Sequence, residues 1–318
     1  MGKTQKSTTL STNGTNILKA IAILAVLVIH TLSSFKQSPF VNTSAFQLIG
    51  VSLDQLARLS VPLFVALSGY GLTISYAKKK YNAFDFLFRR FLKVVPLYII
   101  WSFIFVLLFK FIPSWAPLTA QPNFLWQLLL GRADYHLYFV PMIFQLYLLF
   151  PFIYKMFKKW PLYTLLVSIF IQVIWWYFYS YLGWTVSSWK YFAGDGEQYL
   201  WMTNWIAYFV LGMYLPKIWK WFDQSKFLFA LFGLILFSSA SYSIYHAVSL
   251  IQGGLDPLYA LKFTRYPLFI YSSSVIIVLS YLVARLKEFN DSLVKIGRHS
   301  YFIYLSHTFF MRIIFSFL

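Results

Sequence analysis

Apolar runs of about twenty residues, separated by short polar breaks, recur along the whole chain. A run of that length, at 1.5 Å per residue, matches a hydrocarbon core of about 30 Å. The runs place membrane spans at about 17–35, 46–76, 94–111, 137–157, 161–182, 199–215, 227–250, 266–284 and 299–317. The second run is too long for one straight crossing and contains Asp54, Arg58 and Pro62. Its outer part is therefore expected to pack in protein or line a cavity. A basic amphipathic turn enters the third run, and residues 124–135 read as a re-entrant or interfacial helix. The fold class this predicts is all-α, a polytopic transmembrane bundle of about nine to ten spans. Residues 1–15 are polar, rich in Ser and Thr, and expected to be disordered. Residues 16–318 form one membrane domain. No small-x-small cleavage site follows the first run, so it reads as a retained span.

Composition excludes a soluble globular protein. Of 318 residues 59% are hydrophobic and only 11% charged, against about 25% charged in soluble domains. The net charge of +18 does not point to nucleic acid. Basic residues cluster near 3–19, 78–93, 155–159, 217–226 and 285–298, between alternate runs. That segregation places these clusters and the N-terminus in the cytoplasm. The partner it implies is the lipid bilayer of a cell membrane. Cysteine is absent, which removes disulfides and thiolate chemistry; no metal site and no bound cofactor is read.

The first span reads ILKAIAILAVLVIHTLSSF. Lys19 and His30 are eleven positions apart, about three turns plus 20°, so they share a face about 16 Å apart. Ionisable groups in a span usually face the bundle interior and mark a path or site. The alternative is that Lys19 snorkels to the interface and His30 satisfies itself at the other one. Further polar groups sit at membrane depth: Arg58 and Ser68 in the second run, His136 before the fourth, and Arg298, Tyr304 and His307 at the last. Arg89, Arg90 and Lys93 enter the third run, where a plain topology signal is the competing reading. His246 and His299 read as structural or interfacial.

The ordered set of motifs resembles the acyltransferase 3 family of integral membrane acyltransferases, in the branch that O-acetylates surface polysaccharides. Lys19, ten residues and His30 resemble the family's first-span pattern. VPLF followed by SGYG, RRFLKVVPLY, YHLYFVP and GRHSYFIYLSH resemble later signatures. Arginine is commoner than Lys19 at its place, and Tyr138 stands where tryptophan is usual. Members usually have about ten spans, so a tenth helix is absent here or two are merged in 46–76. The resemblance implies transfer of an acyl group, acetyl being the foremost candidate, from cytoplasmic acetyl-CoA or another acyl-CoA to a hydroxyl of an outward-facing glycan. His30 would be the base or acyl carrier. Lys19, Arg89, Arg90 and Lys93 would hold the donor's phosphates. Arg58, Ser68 or His136 would stabilise the oxyanion, and the aromatic loop with Trp184, Trp189 and Tyr191 would stack on sugars. The rival readings are an exporter or flippase for a glycan or lipid-linked sugar, and a scaffold subunit of a glycan-synthesis complex. The acyl group, the acceptor and the oligomeric state stay open.

Overall fold

The computed structural model describes residues 9–35, 44–78, 82–116, 123–181 and 197–317. The aromatic loop singled out for sugar stacking lies outside them. The described residues are helical throughout, with no strand among them. In chain order the helices are α1 Thr12–Phe35, α2 Val51–Ala57, α3 Ser60–Lys78, α4 Ala83–Phe111, α5 Phe124–Leu130, α6 Phe139–Lys159, α7 Pro161–Tyr181, α8 Ile206–Gln224, α9 Lys226–Gln252, α10 Pro257–Ala260, α11 Tyr266–Val283, α12 Asp291–Arg298 and α13 Ser300–Phe315. Large side chains such as Phe237 (72% exposed) lie bare on the outer faces. A bilayer, not water, is the solvent such surfaces fit.

Among the described residues, seven helical stretches are long and apolar enough to cross a membrane: 12–33, 47–77, 84–111, 139–159, 161–178, 226–252 and 266–283. The chain is thus a multi-pass membrane protein. The over-long second run is broken as its polar residues suggest. A π-helical turn, Phe46–Gly50, leads into α2, and α3 begins only after Arg58 and Leu59. Three boundaries differ from the sequence reading, the third run's helix α4 beginning already at Ala83. The sixth run starts later and continues as α8 through Lys217 and Lys220 to Gln224. Lysines end the apolar stretch, but backbone hydrogen bonding does not stop where hydropathy does. The first helix begins at Thr12, inside the stretch expected to be disordered; Ser11 Oγ accepts from Gly14 N at 2.9 Å and holds that start.

Helix starts carry the side-chain caps their residues favour. Asn82, Asn123, Ser225 and Asn290 each accept a backbone N–H of the following turn.

The residues group into two compact units: 1–70 with 211–304, and 71–210 with 305–318. In unit one, α1 packs on α12 and α2, and α9 on α11. The α1–α12 crossing is very close. A Cβ built on Gly297 would fall 1.7 Å from the Asn16 carbonyl oxygen, so only glycine fits. At one end of the α9–α11 pair, Phe229 and Tyr281 meet at 5.1 Å, and Asp223 pairs with Arg285. In unit two, α6 packs on α4 and α7. Gln145 and Gln172, on α6 and α7, bind the backbone at Leu200, Met202 and Ala207. Those bonds satisfy polar groups that lipid could not.

Candidate active site

Helix α1 is unbroken from Thr12 to Phe35. Positions 19, 23, 26 and 30 (i, i+4, i+7, i+11) form one stripe along it. Ile23 and Val26, in the middle of the stripe, are buried at 0% and 3% exposure. Leu24 and Val28, roughly opposite, are exposed. Lys19 and His30 terminate the buried stripe and are themselves half-buried.

The other predicted residues are distributed as follows. Arg89 and Lys93 are exposed and Arg90 half-buried on the first turns of α4, in unit two; the Arg90 guanidinium lies 5.6 Å from the Phe86 ring centroid. Ser68 is half-buried on α3, Tyr304 is buried on α13, and Arg298 is exposed at the end of α12. Arg58 is buried and gives Asp54 two bonds, Nε at 2.7 Å and a terminal nitrogen at 3.1 Å. Its fork is committed to that carboxylate, which competes with the oxyanion role read from sequence.

His136 and His307 come together in unit two. Their ring centroids are 4.8 Å apart, edge to face, and both side chains are buried. Helix α5 ends at Gly131, whose φ of 66° is left-handed; the turn that follows carries Arg132, Asp134, Tyr135 and His136. On α13, Thr308 and Arg312 share a face at i, i+4. Asp134, with 0% exposure, is the hub. Its two oxygens accept from Arg312 at 2.7 Å each. It also accepts from the Thr308 hydroxyl at 2.7 Å and from the Tyr135 backbone at 2.9 Å. His136 Nδ1 lies 3.3 Å from Asp134 Oδ2. A nitrogen facing a carboxylate carries a proton, so His136 Nδ1 is the donor in this contact.

Burial alone would raise the Asp134 carboxyl. The bonds from Arg312 and His136, with their charges, outweigh it and hold the group well below the ordinary carboxylate range. The Tyr135 hydroxyl is pushed up, first by burial and then by the Asp134 charge; burial lowers the Arg132 guanidinium. Chemically this is an aspartate-oriented imidazole, an arrangement that can hold or pass a proton.

Sequence reasoning named His136 and His307 but not Asp134, Thr308 or Arg312. The available signal was a carboxylate two places before His136 in an otherwise apolar neighbourhood, together with an arginine in the last apolar run. Buried charges are normally paired, so each implied a partner.

A lipid-facing helical protein with ionisable groups buried at several depths is an integral membrane protein built for chemistry or passage within its helices. The particular family follows from comparison. The family model Acyl_transf_3, described as an acyltransferase domain, matches residues 13–318, and the chain belongs to that family. It is a membrane acyltransferase. No curated protein and no solved structure matches it.

Proposed function

We propose that the protein moves an acyl group, acetyl in the simplest case, from cytoplasmic acyl-CoA to a hydroxyl of a cell-surface or lipid-linked polysaccharide. It would do so in a bacterial plasma membrane with its N-terminus in the cytoplasm. The observation that carries this reading is the buried stripe of α1 ending in Lys19 and His30, within the matched family region. An ionisable side chain within a membrane span is by default a functional-site candidate. In the proposed step His30 takes the proton from the sugar hydroxyl as its oxygen attacks the thioester carbonyl carbon. The carbon–sulfur bond then breaks, and CoA leaves as a thiolate that takes up a proton. On unit two, Arg89, Arg90 and Lys93 act as phosphate-binding cations, arginine as a two-pronged donor; on unit one, Lys19 is a candidate point charge for a phosphate. The Asp134-oriented imidazole of His136 is a supporting polar group in this scheme.

The test is His30→Ala and His30→Gln. Acetyl-CoA consumption by purified protein and glycan acylation in cells should each fall by at least the roughly 10²–10⁴-fold that general acid–base catalysis supplies. Abundance in the membrane should stay unchanged. Wild-type acylation by His30→Ala would remove His30 from the chemistry.

A further inference from the structure

At the end of unit one opposite the Asp223–Arg285 pair, a buried guanidinium (Arg58) and a half-buried one (Arg265) lie near a single carboxylate, Asp54. Arg58 is bound to Asp54 and lies 4.6 Å from the Phe263 ring centroid. Arg265 precedes α11 and stands within reach of the Arg58 charge. It donates one terminal nitrogen to the Ala260 carbonyl and the other to the Ser243 carbonyl at 3.2 Å. Its Nε is buried with no acceptor among the described residues, and so is His246 Nδ1. Gln55 and Ser243 link the group: Ser243 Oγ donates to Gln55 Oε1 at 3.3 Å, and Gln55 Nε2 to Asp54 at 3.2 Å.

The cluster thus holds two guanidiniums. Among the described residues, Asp54 is the one carboxylate whose charge bears on Arg265. The surplus is one positive charge. Burial first, and then the charge of Arg58, lower the Arg265 guanidinium to about 10. Guanidinium N–H groups fit oxyanions. Opposite this end lie the clusters near 217–226 and 285–298 that the charge pattern assigns to the cytoplasm, so this end faces outward.

We propose that the Arg58–Arg265 cluster binds a singly charged phosphodiester at the outer face of unit one, carried by the acceptor glycan or by a lipid headgroup. The acceptor source rests on the acyltransfer reading above; the site itself does not. One negative charge balances the surplus, and Arg265 Nε is the donor that awaits it.

The experiment therefore omits acyl-CoA. Purified full-length protein in neutral detergent is melted with increasing diethyl phosphate, a soluble phosphodiester, or with short-chain phosphatidylglycerol. Sodium chloride at equal ionic strength is the control. The expected result is a saturable rise in melting temperature with at least one probe and none with chloride. A response to phosphatidylglycerol alone assigns the site to a headgroup; a response to diethyl phosphate assigns it to a phosphodiester on the acceptor. Arg265→Gln should weaken the response about tenfold or more, as loss of a charge-assisted bond does. Arg265→Lys, which keeps the charge, should retain part of it. Asp54→Asn should tighten it by adding a second surplus charge. No saturable rise with either probe, or an undiminished response in a folded Arg265→Gln protein, overturns the proposal. If Arg265→Gln does not fold, an unchanged response in Asp54→Asn or none in Arg265→Lys overturns it.

Discussion

Asp134→Asn is the substitution that best tests how unit two is held together. The change keeps the side-chain volume but removes the charge that balances Arg312. It also places an amide N–H₂ among groups that all donate: the Arg312 guanidinium, the Thr308 hydroxyl and His136 Nδ1–H. Asp134 has 0% side-chain exposure and Arg312 18%, so the arginine left behind is largely out of water. Removing one partner of a buried ion pair costs about 3–5 kcal/mol. At about 2–4 °C per kcal/mol, the apparent melting temperature in detergent, followed by tryptophan fluorescence, should fall by roughly 6–20 °C. The double variant Asp134→Asn with Arg312→Gln removes the orphaned charge and should recover part of that loss, because the two sites are coupled. The pH dependence has a definite sign. The folded carboxyl lies below its unfolded value of about 3.9, so its contribution is complete above that pH and disappears as pH falls through the folded value. The gap between wild type and variant should be constant from about pH 5 to 8 and close in stronger acid. A fall of less than about 2 °C, or a double variant as unstable as the sum of the singles, would refute the ion-pair account.

Three further expectations can be checked directly. Arg90→Ala should weaken acyl-CoA binding by about 1.5–3 kcal/mol in a titration on purified protein; unchanged affinity would reduce the cluster on α4 to a topology signal. Gly297→Ala should lower the melting temperature sharply, because its Cβ would fall 1.7 Å from Asn16 oxygen, whereas Gly233→Ala, with nothing within 4 Å, should be neutral or stabilising; equal effects would show that the α1–α12 crossing is not close. The chain has no cysteine, so Lys158→Cys should resist an impermeant thiol reagent in intact cells and Tyr259→Cys should react, and the reverse pattern would invert the topology.

The architecture was legible where a physical signal is local. The α1 stripe follows from helical spacing alone, and the break between α2 and α3 from charges and a proline inside an over-long apolar run. The extension of α8 past Lys217 was hidden because hydropathy reports the solvent, while helix termination depends on backbone partners. Helix α12 was hidden differently. Its residues 291–298 read as part of a basic cluster, although Asn290 caps it and Val294 and Gly297 are its buried face. The Asp134–Arg312 pair spans 178 positions, and no local pattern announces such a pairing. Each member was visible alone as a charge in the wrong solvent; only folding shows which charge answers which. Arg58 teaches the converse. A buried arginine reads as a catalytic donor until its own neighbour, one helical turn away, is seen to hold it.

The contact between Asn16 and Gly297 has a consequence in time. Synthesis proceeds at about 5–20 residues per second, and Gly297 emerges 281 positions after Asn16. For roughly 15–55 seconds α1 therefore waits in the membrane without the helix that will clasp it, with Lys19 and His30 already inserted. Helix α1 is made long before the helix that locks it. During that interval α2, the next helix in the chain, is the partner on which α1 can pack.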